Sequence, residues 1–176
     1  MLITNAFEAD LDQCAVCFLH SEVARRYEYA RPLVNAQLAE AIVRGELWVA
    51  KAKGVVLGYA WIALSGAFYS DPYLRGIAVR EDCRSEGIGS QLLEFFELKA
   101  FAVSIRAFLL VGDYNLRAQQ FYLSKGYSEV GRIPDFSNIG ITELIMLKRK
   151  TAATPIPEGS VERSRHRTLD EQARHE

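Results

Sequence analysis

The sequence predicts an α/β domain built on a mixed sheet of about seven strands with helices on both faces. Three observations carry this. Tyr73–Arg80, a glycine-containing turn, an amphipathic stretch through Val103 and the apolar run Ile105–Val111 form a strand–loop–helix–strand unit. Such a unit implies a right-handed crossover and parallel pairing of its two strands. Glu46–Ala52 and Val55–Leu64 flank Lys53-Gly54 and read as an antiparallel hairpin. Tyr127–Arg132 and Ile141–Leu147 read as a closing antiparallel pair.

The remaining elements follow in chain order. Leu2–Phe7 is a short first strand. Glu8-Ala-Asp-Leu-Asp is acidic, as suits the start of a helix over Gln13–His20. Leu11, Cys14, Ala15, Phe18 and Leu19 fall at helical spacing there. Arg31-Pro32 interrupts the chain, and Leu33–Arg44 is a second helix ended by Gly45. Ser65-Gly66 opens a loop, and Phe68–Pro72 leads into the fourth strand. Ile88, Leu92, Leu93, Phe96, Ala100 and Val103 mark the buried face of the long crossover helix. Asn115 is a good cap for a helix that runs to Lys125 and stops at Gly126. Residues 1–150 thus read as one domain. From Thr151 to Glu176 the composition turns to charges and prolines, which predicts a flexible tail.

Composition narrows the function classes. The chain has 176 residues and a net charge of −1, so electrostatics make no case for a nucleic acid or an anionic membrane as partner. No apolar run approaches the roughly 18 residues of a membrane span. Met1-Leu-Ile-Thr lacks a basic region followed by an apolar stretch, so a signal peptide is not expected. Three cysteines are too few for a disulfide scaffold. A reducing, cytoplasmic setting is the expectation. Cys14-Ala-Val-Cys17 lies inside a helical pattern with no second Cys or His pair, so it predicts buried thiols and no metal site. Cys83 is expected to be exposed beside the glycine turn. His20 stands alone among the folded part, which leaves no Ser-His-Asp or metal–His site.

The chemistry concentrates in Val79-Arg-Glu-Asp-Cys-Arg-Ser-Glu-Gly-Ile-Gly-Ser-Gln. Arg84, Gly87 and Gly89 give Arg-x-x-Gly-x-Gly at a strand-to-helix turn. Glycine there permits positive φ and a close ligand approach, and the first helical amides lack helical partners. With the helix dipole they favour a phosphate or pyrophosphate. Alone the pattern is equally a tight connection with Arg84 solvated. A dinucleotide fingerprint fails because no third glycine follows Gly89, and a P-loop fails for want of Gly-Lys-Ser/Thr. A second motif follows: Asn115-x-x-Ala118-x-x-Phe121-Tyr122-x-x-x-Gly126-Tyr127.

Together, in this order and separation, the two motifs resemble the acyl-CoA-binding core of the GNAT superfamily of N-acetyltransferases. The resemblance covers roughly Leu2–Lys148, with its specific residues between Val79 and Tyr127. Tyr127 stands where Phe is commoner, and Glu81-Asp82-Cys83 replaces a frequent Pro-containing run. The resemblance implies that the fourth and fifth strands splay apart and admit acetyl-CoA as cosubstrate, without a metal. Its pantetheine arm would bond to backbone at Ile77 and Val79. The pyrophosphate would sit on the amides from Arg84 through Ser85, Glu86, Gly87, Ile88, Gly89 and Ser90, with the Glu86 carboxylate outward. Asn115 would contact the cofactor through its amide, the Val79 amide would hold the oxyanion, and Tyr122 would be the general acid beside the thioester.

An alkyl amine, with pKa about 10.4, must lose a proton before it attacks. Asp71, at the start of the fourth strand, stands at a position that serves some relatives as general base. Glu143 and Asp135 are the other candidates. Relatives that acetylate protein N-termini often carry a Glu near the end of the fifth strand. Leu110-Val-Gly has none before Asp113, which argues against that substrate. The early helices would wall the acceptor site, and Tyr27, Tyr29, Phe68, Tyr69, Tyr73 and Phe136 are candidates to line it. The expected reaction is transfer to a primary amine of a small molecule, peptide or protein, by a monomer or homodimer. Three readings compete with it: a non-catalytic acyl-CoA sensor, an interaction module acting through the tail, and nucleotide binding at the glycine turn.

Overall fold

The computed structural model describes residues 1–151. The expected tail lies outside them beyond its first residue. The elements in order are β1 (Leu2–Asn5), α1 (Leu11–Leu19), α2 (Glu22–Arg26), α3 (Arg31–Val43), β2 (Leu47–Ala52), β3 (Val55–Ala67), β4 (Asp71–Val79), α4 (Ile88–Val103), β5 (Arg106–Gly112), α5 (Leu116–Ser124), β6 (Ser128–Pro134) and β7 (Thr142–Arg149). They form one seven-stranded sheet in the order β1-β2-β3-β4-β5-β7-β6. Every neighbouring pair is antiparallel except β4–β5.

Each face of the sheet buries its own core. On one, α4 brings Leu92, Leu93, Phe96 and Ala100 against Leu74, Leu109 and Met146, and α5 adds Tyr122. On the other, α1 and α3 bring Cys14, Ala15, Cys17, Val34 and Leu38 against Leu47, Val49 and Tyr59. The apolar spacing read from α4 is therefore its packed face, except that Val103 is exposed at the last turn. Cys14 and Cys17 are fully buried, and burial pushes their thiols up to about 12 and about 11.

The expected boundaries shift in places. The segment between the first two long helices contains α2, capped by Ser21 Oγ, which accepts the Ala24 amide at 3.0 Å. Pro32 sits in the first turn of α3, whose start is Arg31. β3 continues past the expected loop to Ala67, with a register break between Ala63 and Ala67.

Parallel pairing of β4 with β5 is confined to Tyr73↔Phe108 and Leu74↔Leu109. β4 continues for five residues beyond Leu74, and β5 turns instead toward β7, with Gly112 opposite Glu143. The two strands thus diverge toward their C-terminal ends.

Candidate active site

The divergence leaves one edge of β4 without a strand. The Arg80 amide donates to Leu57 O on β3 at 2.8 Å. Backbone direction alternates along a strand, so Ile77 and Val79 turn their amides the other way, into the gap. Val79 O also lies on that side and accepts Arg84 Nε at 3.4 Å. Two strand amides turned into a groove are a template for an extended, amide-bearing ligand.

At the end of this groove the chain makes its turn into α4. Ser85 and Gly87 have φ of 70° and 82°, and Gly87 is the residue before the helix. A Cβ at Gly87 would meet nothing within 4 Å. Glycine there serves the backbone conformation and keeps the cleft side open. The first amide of the turn to find a helical carbonyl is Gln91, on Gly87 O at 3.1 Å. Ile88, Gly89 and Ser90 therefore present unpartnered amides at the positive end of a 16-residue helix. The Arg84 amide is partly used by Glu81 O at 3.4 Å. Its guanidinium reaches His20 O at 3.0 Å and fastens the turn to the end of α1. The Glu86 side chain is exposed and does not line the cleft.

A cleft of about 610 Å³ joins these groups: Ile77, Val79, Arg84, Ser85, Gly87, Ile88, Gly89 and Ser90 line it with Asn115 and Tyr122. Sequence reasoning missed Arg25 and Arg117, which add positive charge to its wall. Arg117 Nη2 lies 3.5 Å from Ser85 Oγ. Its place in the first turn of α5, opposite the anion turn, was readable only with the fold. Asn115 Oδ1 caps α5 by accepting the Ala118 amide at 3.1 Å, which leaves Nδ2 as its donor toward a ligand.

A second cavity, of about 360 Å³, opens from the same centre and shares Ile77, Asn115, Ala118 and Tyr122 with the first. It is aromatic, with Tyr27, Tyr29, Tyr73, Phe136, Tyr59, Trp61 and Tyr114 in its walls. Phe68 instead lines an apolar pocket next door, and Tyr69 is 99% exposed. Tyr122 is the hinge between the cavities. It is 9% exposed, and its hydroxyl has no hydrogen-bond partner among the described residues. Burial first, then the neighbouring Tyr73 phenol, hold it well above the ordinary phenol value. Burial also pushes the Tyr73 phenol up to about 12.

Three expectations need correction. Asp71 is not in either cavity. It lies at the opposite end of β4, where Oδ1 accepts Ser104 Oγ at 2.6 Å and Arg106 Nε approaches Oδ2 at 3.0 Å. Ser104 ends α4, so the length of that helix, roughly 24 Å, separates Asp71 from the anion turn. Burial alone would raise its pKa, but Ser104, Arg106 and Ser70 outweigh it and the net direction is down. Asp71 is a clamp between strand starts. Cys83 is buried, at 7% exposure, because the short turn Glu81–Cys83 folds its thiol inward, 3.3 Å from Arg80 Nη2. Asp135 does not line either cavity, and its Oδ1 caps the loop by accepting the Gly140 amide at 2.6 Å.

Glu143 does reach the second cavity. It is 6% exposed, and Oε1 accepts Tyr27 OH at 2.5 Å and Ser137 Oγ at 3.2 Å. Burial first, then the bond to Glu143, hold the Tyr27 phenol protonated far above its ordinary range. Among the described residues no group of His, Cys, Asp and Glu could hold a metal ion, and no helix is long and apolar enough to cross a membrane.

Comparison with known proteins bears on these cavities. An uncharacterized N-acetyltransferase of Methanocaldococcus jannaschii is 29% identical over 108 residues, spanning 60% of this chain and 67% of that one. An aminoglycoside 6'-N-acetyltransferase solved with coenzyme A superposes with a TM-score of 0.69 at 16% identity, over 88% of this chain and 100% of that one. Naa20 of Chaetomium thermophilum, solved with a bisubstrate analogue, gives 0.67 at 20% identity, over 85% and 87%. At these identities the two structures speak for the fold. The model of the acetyltransferase (GNAT) family matches residues 8–127.

Proposed function

The chain belongs to the GNAT acetyltransferase family, and from that premise we propose that it transfers an acetyl group from acetyl-CoA directly to a primary amine. The observation that carries the proposal is the unpartnered hydroxyl of the otherwise buried Tyr122, where a cofactor-sized cleft meets an acceptor-sized cavity. The pantetheine arm lies along β4 and bonds to Ile77 and Val79. The pyrophosphate rests on the turn from Ser85 to Ser90, against Arg117, and Asn115 Nδ2 donates to the cofactor.

The acceptor enters the aromatic cavity as an ammonium and is drawn to Glu143. It loses a proton toward that carboxylate through water, and its nitrogen attacks the thioester carbon. The carbonyl oxygen becomes an oxyanion, and the Val79 amide donates to it. The carbonyl re-forms as the C–S bond breaks, and the nitrogen gives its second proton to water. Tyr122, kept protonated by its burial, gives the departing sulfur its proton and recovers one from solvent. The products are the N-acetyl amine and CoA.

The test is thermal stability with acetyl-CoA, CoA, NAD and ATP. Ligand at about 100 times its dissociation constant adds roughly 2.7 kcal/mol, worth about 5–10 °C for a chain of this size. Acetyl-CoA and CoA are expected to stabilise, and Gly87→Phe to abolish the effect, because its side chain would enter the open cleft. Stabilisation by NAD or ATP in preference to both CoA ligands would overturn the proposal.

A further inference from the structure

Of the 24 residues that line the aromatic cavity, only two carry a formal charge, and they are of opposite sign: Glu143 and Arg75. Neither is ion-paired among the described residues. Glu143 is buried, and its two donors, Tyr27 and Ser137, are neutral. A buried carboxylate with only neutral partners is a favourable seat for a cation supplied from elsewhere.

Arg75 is held in position without being neutralised. Its guanidinium lies over the Trp61 ring, 4.6 Å from the centroid, and the indole is itself fixed by Nε1 donating to Glu46 Oε2 at 3.0 Å. A guanidinium stacked on an aromatic face keeps its N–H edge for a carboxylate or phosphate. The two charges sit on opposite sides of the splay. Arg75 is on β4, and Glu143 is on β7, beyond β5. Two strand spacings, roughly 10 Å, are the least that separates those backbones, and the divergence of β4 from β5 adds to it. The Arg75 guanidinium leans over Trp61 on β3, away from β7, so the two charges face one shared cavity of about 360 Å³ from opposite walls, with room between them for a spacer of several carbon atoms.

We infer that the acceptor is a small zwitterion, an amine that also carries a carboxylate or phosphate, held with its ammonium at Glu143 and its acidic group at Arg75. This rests on the transfer reaction proposed above and names its substrate class. Arg75 is the specificity-determining residue. It attracts the acidic group and repels a second ammonium, so that polyamines are rejected by the same side chain.

Three four-carbon probes separate the possibilities: 4-aminobutanoate, butylamine and 1,4-diaminobutane. Acetyl-CoA-dependent kcat/KM is expected to fall in that order, with at least about tenfold between the first and the last. Arg75→Glu is expected to reverse the order of 4-aminobutanoate and 1,4-diaminobutane, in a protein that acetyl-CoA still stabilises. Preference of the unaltered protein for the diamine, or an order that survives Arg75→Glu, would overturn the inference. Binding of the same probes to the free and CoA-saturated protein, followed by ligand-observed NMR, keeps the two proposals apart. The same order of binding without turnover would sustain the acceptor class and sink the transfer reaction. Turnover without any order would do the reverse.

Discussion

Gly58 is where the β4 edge can be disturbed from behind. It lies on β3 opposite Val79. A Cβ there would stand 2.7 Å from Ala78 O, 3.2 Å from Val79 Cα and 3.3 Å from Leu92 Cδ1. The first two are backbone atoms, so no rotamer change relieves the overlap. Comfortable separation of such atoms is about 3.5 Å or more, so β4 must recede by roughly 0.5–1 Å. Overpacking of this kind costs about 1–3 kcal/mol, or roughly 2–10 °C of melting temperature for this chain length. The same displacement moves the Val79 amide, and a misplacement near 1 Å at a reacting centre can lower the rate about 100-fold. Thermal unfolding of Gly58→Ala with and without acetyl-CoA is the assay. Both the melting temperature and the increment added by acetyl-CoA are expected to fall. Gly76→Ala on β4 is the control, since a Cβ there meets nothing within 4 Å. Its stability should stay within the roughly ±0.5 kcal/mol typical of unobstructed sites. A Gly58→Ala protein that melts with the wild type and keeps the full increment would refute the idea that close strand contact sets the Val79 amide.

Tyr122→Phe should keep the stabilisation by acetyl-CoA and lose kcat by about 10²–10⁴-fold, as expected for a lost general acid. Because burial holds this phenol above the ordinary value of about 10, the wild-type rate should not decline at pH 10, and an alkaline limb centred there would count against the assignment. Asp71 has a folded-state pKa below its unfolded one, so its contribution is present above about pH 4 and is lost as pH falls through the folded value. Asp71→Asn should therefore cost about 1–3 kcal/mol at pH 7, toward the lower end because the Arg106 side chain is 42% exposed. The difference from wild type should narrow below pH 4, with kcat/KM changed by no more than about twofold. A collapse of turnover at unchanged stability would return Asp71 to the chemistry.

The crossover from β4 through α4 to β5 was legible because its signals are local. Glycines stand at a turn, apolar residues recur at helical spacing along α4, and β5 is apolar on both faces. The same holds for the Asn115 cap. What stayed hidden depends on contacts between distant parts of the chain. The burial of Glu143 is made by Tyr27, 116 residues away, and nothing near Glu143 in sequence announces it. Asp71 looked available because its partners, Ser104 and Arg106, arrive only when β5 pairs beside it. Helix α2 has five residues, too few for periodicity to register, yet Val23 lies in both cavities. Cys83 sits in a polar stretch, and only the turn geometry folds its thiol inward.

Two register pairs, Tyr73↔Phe108 and Leu74↔Leu109, are all that join β1–β4 to the β5–β7–β6 half by strand hydrogen bonding. Mechanically the sheet is two plates sharing a short seam near one end, with α4 packed across both. A strand-like ligand arm in the open end would act as the missing part of the seam. Stiffness that a continuous sheet possesses outright would here come with occupancy. Amide hydrogen exchange would register it as protection spreading from Tyr73 and Leu74 along β4 to Ile77 and Val79, so the cosubstrate would also serve as a removable structural member.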